Sequence, residues 1–249
     1  MCSSDLVCWV RIGFGGQRLK EKPVLLLVGR DDWQKDESLN VVLLDLFAKY
    51  HLQVAWEDPA AQVIYRLRQL QGKWPWLPAA IRLLVLRLVQ VGYGLLHPSY
   101  FAYLYRQKRF GRSIPARCRH LQNVIHTLGE PERIIILSRS AGGRVSSLLA
   151  DELNVRQLVC LGYPFKHPHS PEEPARYAHL AHISTPMLII QGVRDRYGGQ
   201  DVMSKYPLSA QVELFFVDTD HDFVMDHDLA ETVVNKIASV VGLSTDASP

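Results

Sequence analysis

Ser140, Asp195 and His221 stand far apart in the chain, yet each follows a short apolar run, and together they are the residue types that perform acyl transfer. An alcohol is a weak nucleophile until an imidazole takes its proton and a carboxylate holds that imidazole in the right tautomer. Ser140 lies in Ser138-Arg139-Ser140-Ala141-Gly142, directly after the β-branched run RIIIL (Arg133 to Leu137) and directly before a helical pattern. That is the context of a nucleophile on a sharp strand-to-helix turn, where glycines normally stand two residues before and two after the serine. Ser138 replaces the first of them, one small residue for another. Asp195 follows the run PMLIIQ in Gln191-Gly192-Val193-Arg194-Asp195, and His221 follows the last apolar run in Asp218-Thr219-Asp220-His221-Asp222. The order serine, acid, histidine is the one used when the nucleophile sits on such a turn. Asp220 is a second candidate acid, and His227, at the start of the final helix, is a rival base.

A tetrahedral intermediate needs two donors for its oxyanion. The backbone N–H of Ala141, next after the nucleophile at a helix N-terminus, is one candidate. The second is expected from the loop after the first long strand, Gly29-Arg30-Asp31-Asp32, with Arg30 N–H as the choice. Tyr163, Pro164 and Phe165 follow the strand after the nucleophile helix and are expected to line the substrate pocket. His167 and His169 lack a third ligand at metal spacing, so neither metal nor cofactor is expected.

These residues require a parallel sheet, because only such a sheet collects the loops after successive strands at one edge. Short apolar runs do alternate with amphipathic segments. Strands are expected at Pro23 to Val28, Gln53 to Trp56, Arg133 to Leu137, Gln157 to Leu161, Pro186 to Gln191 and Val212 to Val217. Helices are expected from a Ser38 cap through Lys49, with Val41, Leu44 and Phe47 on one face, and over Ser113 to Leu128, Ala141 to Leu153 and Leu229 to Val241. The length of 249 residues and 47% hydrophobic content suit one large domain, 1–249.

The segment 60–111 breaks the alternation. It is patterned for helices, and it is rich in aromatics such as Trp74, Trp76, Tyr93 and Tyr100. No Asp or Glu occurs from Pro59 to Gly129, where eleven Lys and Arg fall, so the rest of a chain of net charge +3 is acidic. An inserted basic helical cap is the expectation, with contact to an anionic or lipid-like substrate or to an anionic membrane surface as its use. No nucleic-acid motif accompanies the basic residues, so nucleic-acid binding is not expected. Leu77 to Leu96 is interrupted by Arg82 and Arg87 and is not read as a membrane span. Four cysteines without disulfide or metal spacing, and an N-terminus without a secretory pattern, point to the cytoplasm, with the inner membrane face as a peripheral option.

Ser138 to Glu152 (SRSAGGRVSSLLADE), Leu161 to Phe165 (LGYPF), Thr185 to Gly198 (TPMLIIQGVRDRYG) and Asp218 to Phe223 (DTDHDF) closely resemble the α/β-hydrolases grouped with the testis-expressed hydrolase-like protein and the scaffold subunit of the NSL histone-acetylation complex. The chain is more distantly similar to dienelactone hydrolases and small esterases. The resemblance spans a little over a third of the chain and implies the α/β-hydrolase fold, with a triad on Ser140, Asp195 and His221. The combined reading is a serine hydrolase, esterase- or thioesterase-like, acting through an acyl-enzyme on a small acyl substrate. The alternative is a non-catalytic protein of the same fold that binds a partner or membrane through its basic insert.

Overall fold

The computed structural model describes residues 23–29, 37–74, 76–111 and 113–243. In chain order the elements are β1 (Val24–Val28), α1 (Glu37–Lys49), β2 (Gln53–Trp56), α2 (Ala61–Gly72), α3 (Ala79–Leu96), α4 (Ser99–Phe110), α5 (Ile114–Leu128), β3 (Ile134–Arg139), α6 (Ala141–Leu153), β4 (Gln157–Leu161), β5 (Met187–Gly192), α7 (Val202–Lys205), β6 (Val212–Val217) and α8 (His227–Val240). The six strands form one parallel sheet in the order β2-β1-β3-β4-β5-β6.

The central strands are apolar over most of their length because both sheet faces are covered, with polar residues only at their ends. Alternate residues go to opposite cores. Leu26, Val28, Ile134 and Ile136 pack with Leu121 and Ile125 of α5 and Val145 and Leu149 of α6. Leu25, Leu27, Ile135 and Leu137 pack with Leu39, Leu43 and Phe47 of α1 and with Val233, Val234 and Ile237 of α8. Truncating any of these to Ala is expected to cost about 2–5 kcal/mol.

The chain runs outward from β1 to β2 and then crosses back to β3 on the other side of β1. The switch in strand order therefore falls between β1 and β3, and the crevice at the C-terminal ends of strands at such a point is the usual ligand position in these sheets. Ser140 follows β3 there.

Several element ends differ from the sequence expectation. β3 continues two residues further, to Arg139, directly against Ser140. The first helix begins at Glu37, so Ser38 lies inside it. The last helix begins at His227, with Asp226 as its cap, its carboxylate accepting from Leu229 N–H at 2.9 Å. Between β2 and α5 the basic segment folds as α2, α3 and α4 around a small core of Ala60, Ile64, Leu86, Tyr100 and Tyr103. It is fastened to the sheet edge by Tyr93 Oη, which donates to Pro59 O at 3.0 Å, and by the Tyr103–His120 ring contact.

Candidate active site

Because β3 ends at Arg139 and α6 starts at Ala141, the whole reversal falls on Ser140, with φ +48° and ψ −121°. A residue with a Cβ rarely adopts that conformation, which costs about 1–3 kcal/mol and must be held by its surroundings. Here Ser140 N–H donates to Leu161 O at 3.0 Å, and Ser140 O accepts from Gly143 N–H at 2.9 Å. Ser138, in place of the usual glycine, donates its hydroxyl to Val159 O of β4 at 3.1 Å, so the substitution leaves no unpaired polar group.

The two following glycines serve close packing. A Cβ at Gly142 would lie 3.0 Å from Val28 O, and one at Gly143 would lie 2.1 Å from Cys160 Sγ. Gly143→Ala is therefore expected to push α6 off β4, costing roughly 1–3 kcal/mol and lowering the melting temperature by several degrees. Cys160 itself is buried, and burial pushes its thiol up to about 12, so it is no rival nucleophile.

Ser140 Oγ lies 2.8 Å from His221 Nε2, and His221 Nδ1 lies 2.8 Å from Asp195 Oδ2. The Asp195 side chain is fully buried. Its Oδ2 also accepts from Gln191 Nε2 at 2.8 Å, and its Oδ1 accepts from Tyr197 N–H at 2.7 Å. A carboxylate that accepts a hydrogen bond from Nδ1–H holds the proton on that nitrogen and leaves Nε2 as the acceptor facing the hydroxyl. The imidazole is further confined by the Tyr197 ring, 4.3 Å between centroids, and by Gly162, where a Cβ would stand 3.3 Å from Nδ1. The rival groups are engaged elsewhere. Asp220 Oδ1 accepts from Asp222 N–H, and His227 is exposed, 3.8 Å from Glu231.

Two positioning residues escaped the sequence reading. Buried Gln191, the polar end of PMLIIQ, accepts from Tyr163 N–H at 2.9 Å and donates to Gly198 O at 2.5 Å as well as to Asp195. A polar side chain closing an apolar strand four residues before the acid was the available signal. Arg139 Nη2 donates to Asp222 O at 3.0 Å, and its guanidinium sits 5.6 Å from the Phe223 ring centroid. It ties the serine turn to the histidine loop.

The oxyanion donors fare unequally. Ala141 opens α6, so its N–H belongs to the helix start, where backbone donors lack intrahelical partners. Arg30 lies outside the described residues; Gly29 N–H, just before it, donates to Glu57 Oε2 at 3.0 Å.

Tyr163, Pro164 and Phe165 are corrected from pocket lining to core: all three are buried, and Phe165 packs between Tyr163 and Tyr206. The Tyr163 hydroxyl donates to Arg176 O at 2.6 Å and lies near Ser147, whose Oγ is 2.8 Å from His179 Nε2. Burial, reinforced by the Arg144 charge, pushes His179 down from 6.5 to about 4. The unfolded chain thus binds a proton at this site near pH 6.5 that the folded chain refuses until about pH 4, and stability falls as pH drops through that window. His179→Gln is expected to flatten this part of a melting-temperature against pH curve.

Beyond Tyr197, and lined by none of the triad residues, a cavity of about 520 Å³ is bordered by Lys166, His167, His169, Arg196, Lys205 and Glu172. Tyr197 joins the two, its ring meeting His167 at 5.9 Å on one side and His221 on the other.

A fully parallel six-stranded sheet carrying a serine turn at its crevice, with histidine and acid on later loops, defines the α/β-hydrolase class. A family model described as an alpha/beta hydrolase domain matches residues 86–247, and the chain belongs to that family. Among solved structures, one chain from a description of two metagenome-derived lipolytic enzymes shares the fold over 90% of this chain and 95% of its own, at 11% identity and a TM-score of 0.52. A hydrolase from Oleispira antarctica does so over 90% and 92%, also at 11% identity and a TM-score of 0.52. No curated protein matches the chain.

Proposed function

We propose that this chain is a serine hydrolase of esters or thioesters, with Ser140 as nucleophile, His221 as base and then acid, and Asp195 as the group that orients it. The observation that carries the reading is the unbroken chain from Ser140 Oγ through His221 to buried Asp195, two contacts of 2.8 Å each, built on a strained turn. Strain of this kind clusters at active sites, where the surroundings hold it in place. Ser140 Oγ attacks the acyl carbonyl as its proton passes to Nε2, and the oxyanion is met by Ala141 N–H and by a donor from the loop after Gly29. The imidazolium returns the proton to the leaving alcohol or thiol, and water, deprotonated by the same nitrogen, releases the acid. Lys166 and Lys205 of the cavity beyond Tyr197 pair with Asp201 and Glu172, and Arg196 on the same lining favours acyl substrates that carry a carboxylate or phosphate. The finer kinship to the hydrolases grouped with the testis-expressed protein rests on the sequence runs alone.

The test pairs fluorophosphonate labelling with hydrolysis of short activated esters and thioesters, each with and without a terminal carboxylate on the acyl chain. Labelling and turnover, faster for the anionic member of each pair, are the expected result. Folded protein that neither labels nor hydrolyses any of them overturns the reading in favour of an interaction protein.

A further inference from the structure

The three-helix insert presents a face that the rest of the described residues do not cover. In α3 the positions Ile81, Leu84, Leu88, Val91 and Leu95 recur at steps of three and four, so they form one stripe along the helix. All five are exposed, Leu88 by 62% and Leu95 by 71%. The buried residues of the helix are Leu86, on the opposite side, and Gly94, on the flank of the stripe, where it lets the Phe101 ring of α4 pack close. Trp76, 76% exposed, stands just before the stripe, and Leu96 and Phe101 extend it at the other end. A contiguous apolar surface of this extent marks an interaction site.

Its chemistry selects the occupant. The insert, 60–111, holds eight Lys and Arg and no Asp or Glu, among them Arg87 on the exposed side of α3 and Arg106, Lys108 and Arg109 at the end of α4. A second copy would set these cations against each other, whereas an anionic bilayer offers hydrocarbon for the stripe and phosphate for the flanks. By length and composition α3 could cross a membrane. Crossing would strip Leu86, Tyr93 and Tyr100 of the packing that holds the insert together and would sink Arg82 and Arg87 in hydrocarbon. We infer that the outward face of α3 docks the protein in the plane of an anionic membrane surface, with the stripe in the acyl boundary and the arginines among the headgroups. This placement is independent of the hydrolytic reading.

The experiment is sedimentation of the full chain with vesicles of phosphatidylcholine alone and of phosphatidylcholine mixed roughly two to one with phosphatidylglycerol. Binding to the mixed vesicles, weakened by added salt and accompanied by a blue shift of tryptophan emission, is expected. Leu88→Glu combined with Leu95→Glu is expected to lower partitioning by about tenfold or more without changing the melting temperature, since both positions are exposed. The emission shift of the unaltered chain reads the same docking should the double variant fold poorly. Negligible or equal binding to both vesicle types, or partitioning unchanged in a folded double variant, overturns the inference. So does a concentration-dependent dimer that this variant breaks, in a chain that ignores vesicles.

Discussion

Ser140→Ala is expected to lower turnover of an activated ester by about 10⁴-fold or more and to abolish fluorophosphonate labelling. The effect is large because the hydroxyl is the group that would attack, and among the described residues the nearest alternatives cannot take over: Ser138 donates into β4, and Cys160 is buried with its thiol held protonated. Stability is expected to change little. The Oγ atom contacts His221 at 2.8 Å, whereas the turn is held by the backbone of Ser140, through Leu161 O and Gly143 N–H. Alanine keeps both backbone bonds and the same positive φ. Steady-state kinetics beside circular dichroism and a thermal melt check both halves of the statement. A folded Ala variant retaining most of its activity would remove Ser140 from the chemistry.

Asp195→Asn is expected to lower turnover by roughly 10³- to 10⁴-fold. The carboxylate receives three donors: His221 Nδ1–H and Gln191 Nε2 on Oδ2, and Tyr197 N–H on Oδ1. An amide offers one acceptor end and one donor end. If its NH₂ takes the Oδ2 place, it faces the imidazole and Gln191 with hydrogens, and His221 must carry its proton on Nε2, where it cannot accept from Ser140. If its NH₂ takes the Oδ1 place, it opposes Tyr197 N–H and the loop shifts. The expected signature is a fall in kcat with KM little changed, because Asp195 is placed to act on His221 and not on bound acyl groups. Equal turnover in the Asn variant would point to a different acid.

The sheet was readable because each central strand is an apolar run with covered faces. RIIIL and PMLIIQ can hardly be anything but interior strands, and Ser140, Asp195 and His221 could be picked by their places after such runs. What resisted reading was local. Tyr163 and Phe165 looked like pocket residues because they follow a strand at the correct edge. Gly162, with φ +67°, instead turns the chain so that both rings enter the core. Gln191 and Arg139 act through side-chain bonds between segments distant in sequence, a relation that periodicity does not encode. The insert could be recognised as helical and basic, but the stripe on α3 emerges only once the buried side of that helix is known.

Gln191 also fixes when the work of arranging the acid is done. Its carboxamide has a carbonyl end claimed by Tyr163 N–H and an amine end claimed by Asp195 and Gly198, so reversing the amide would oppose like groups at both ends. The carboxylate is thereby aimed during folding, while the polypeptide still has its condensation energy to spend. A substrate arriving later finds the dipoles already set, and little solvent-like reorientation remains to slow the reaction.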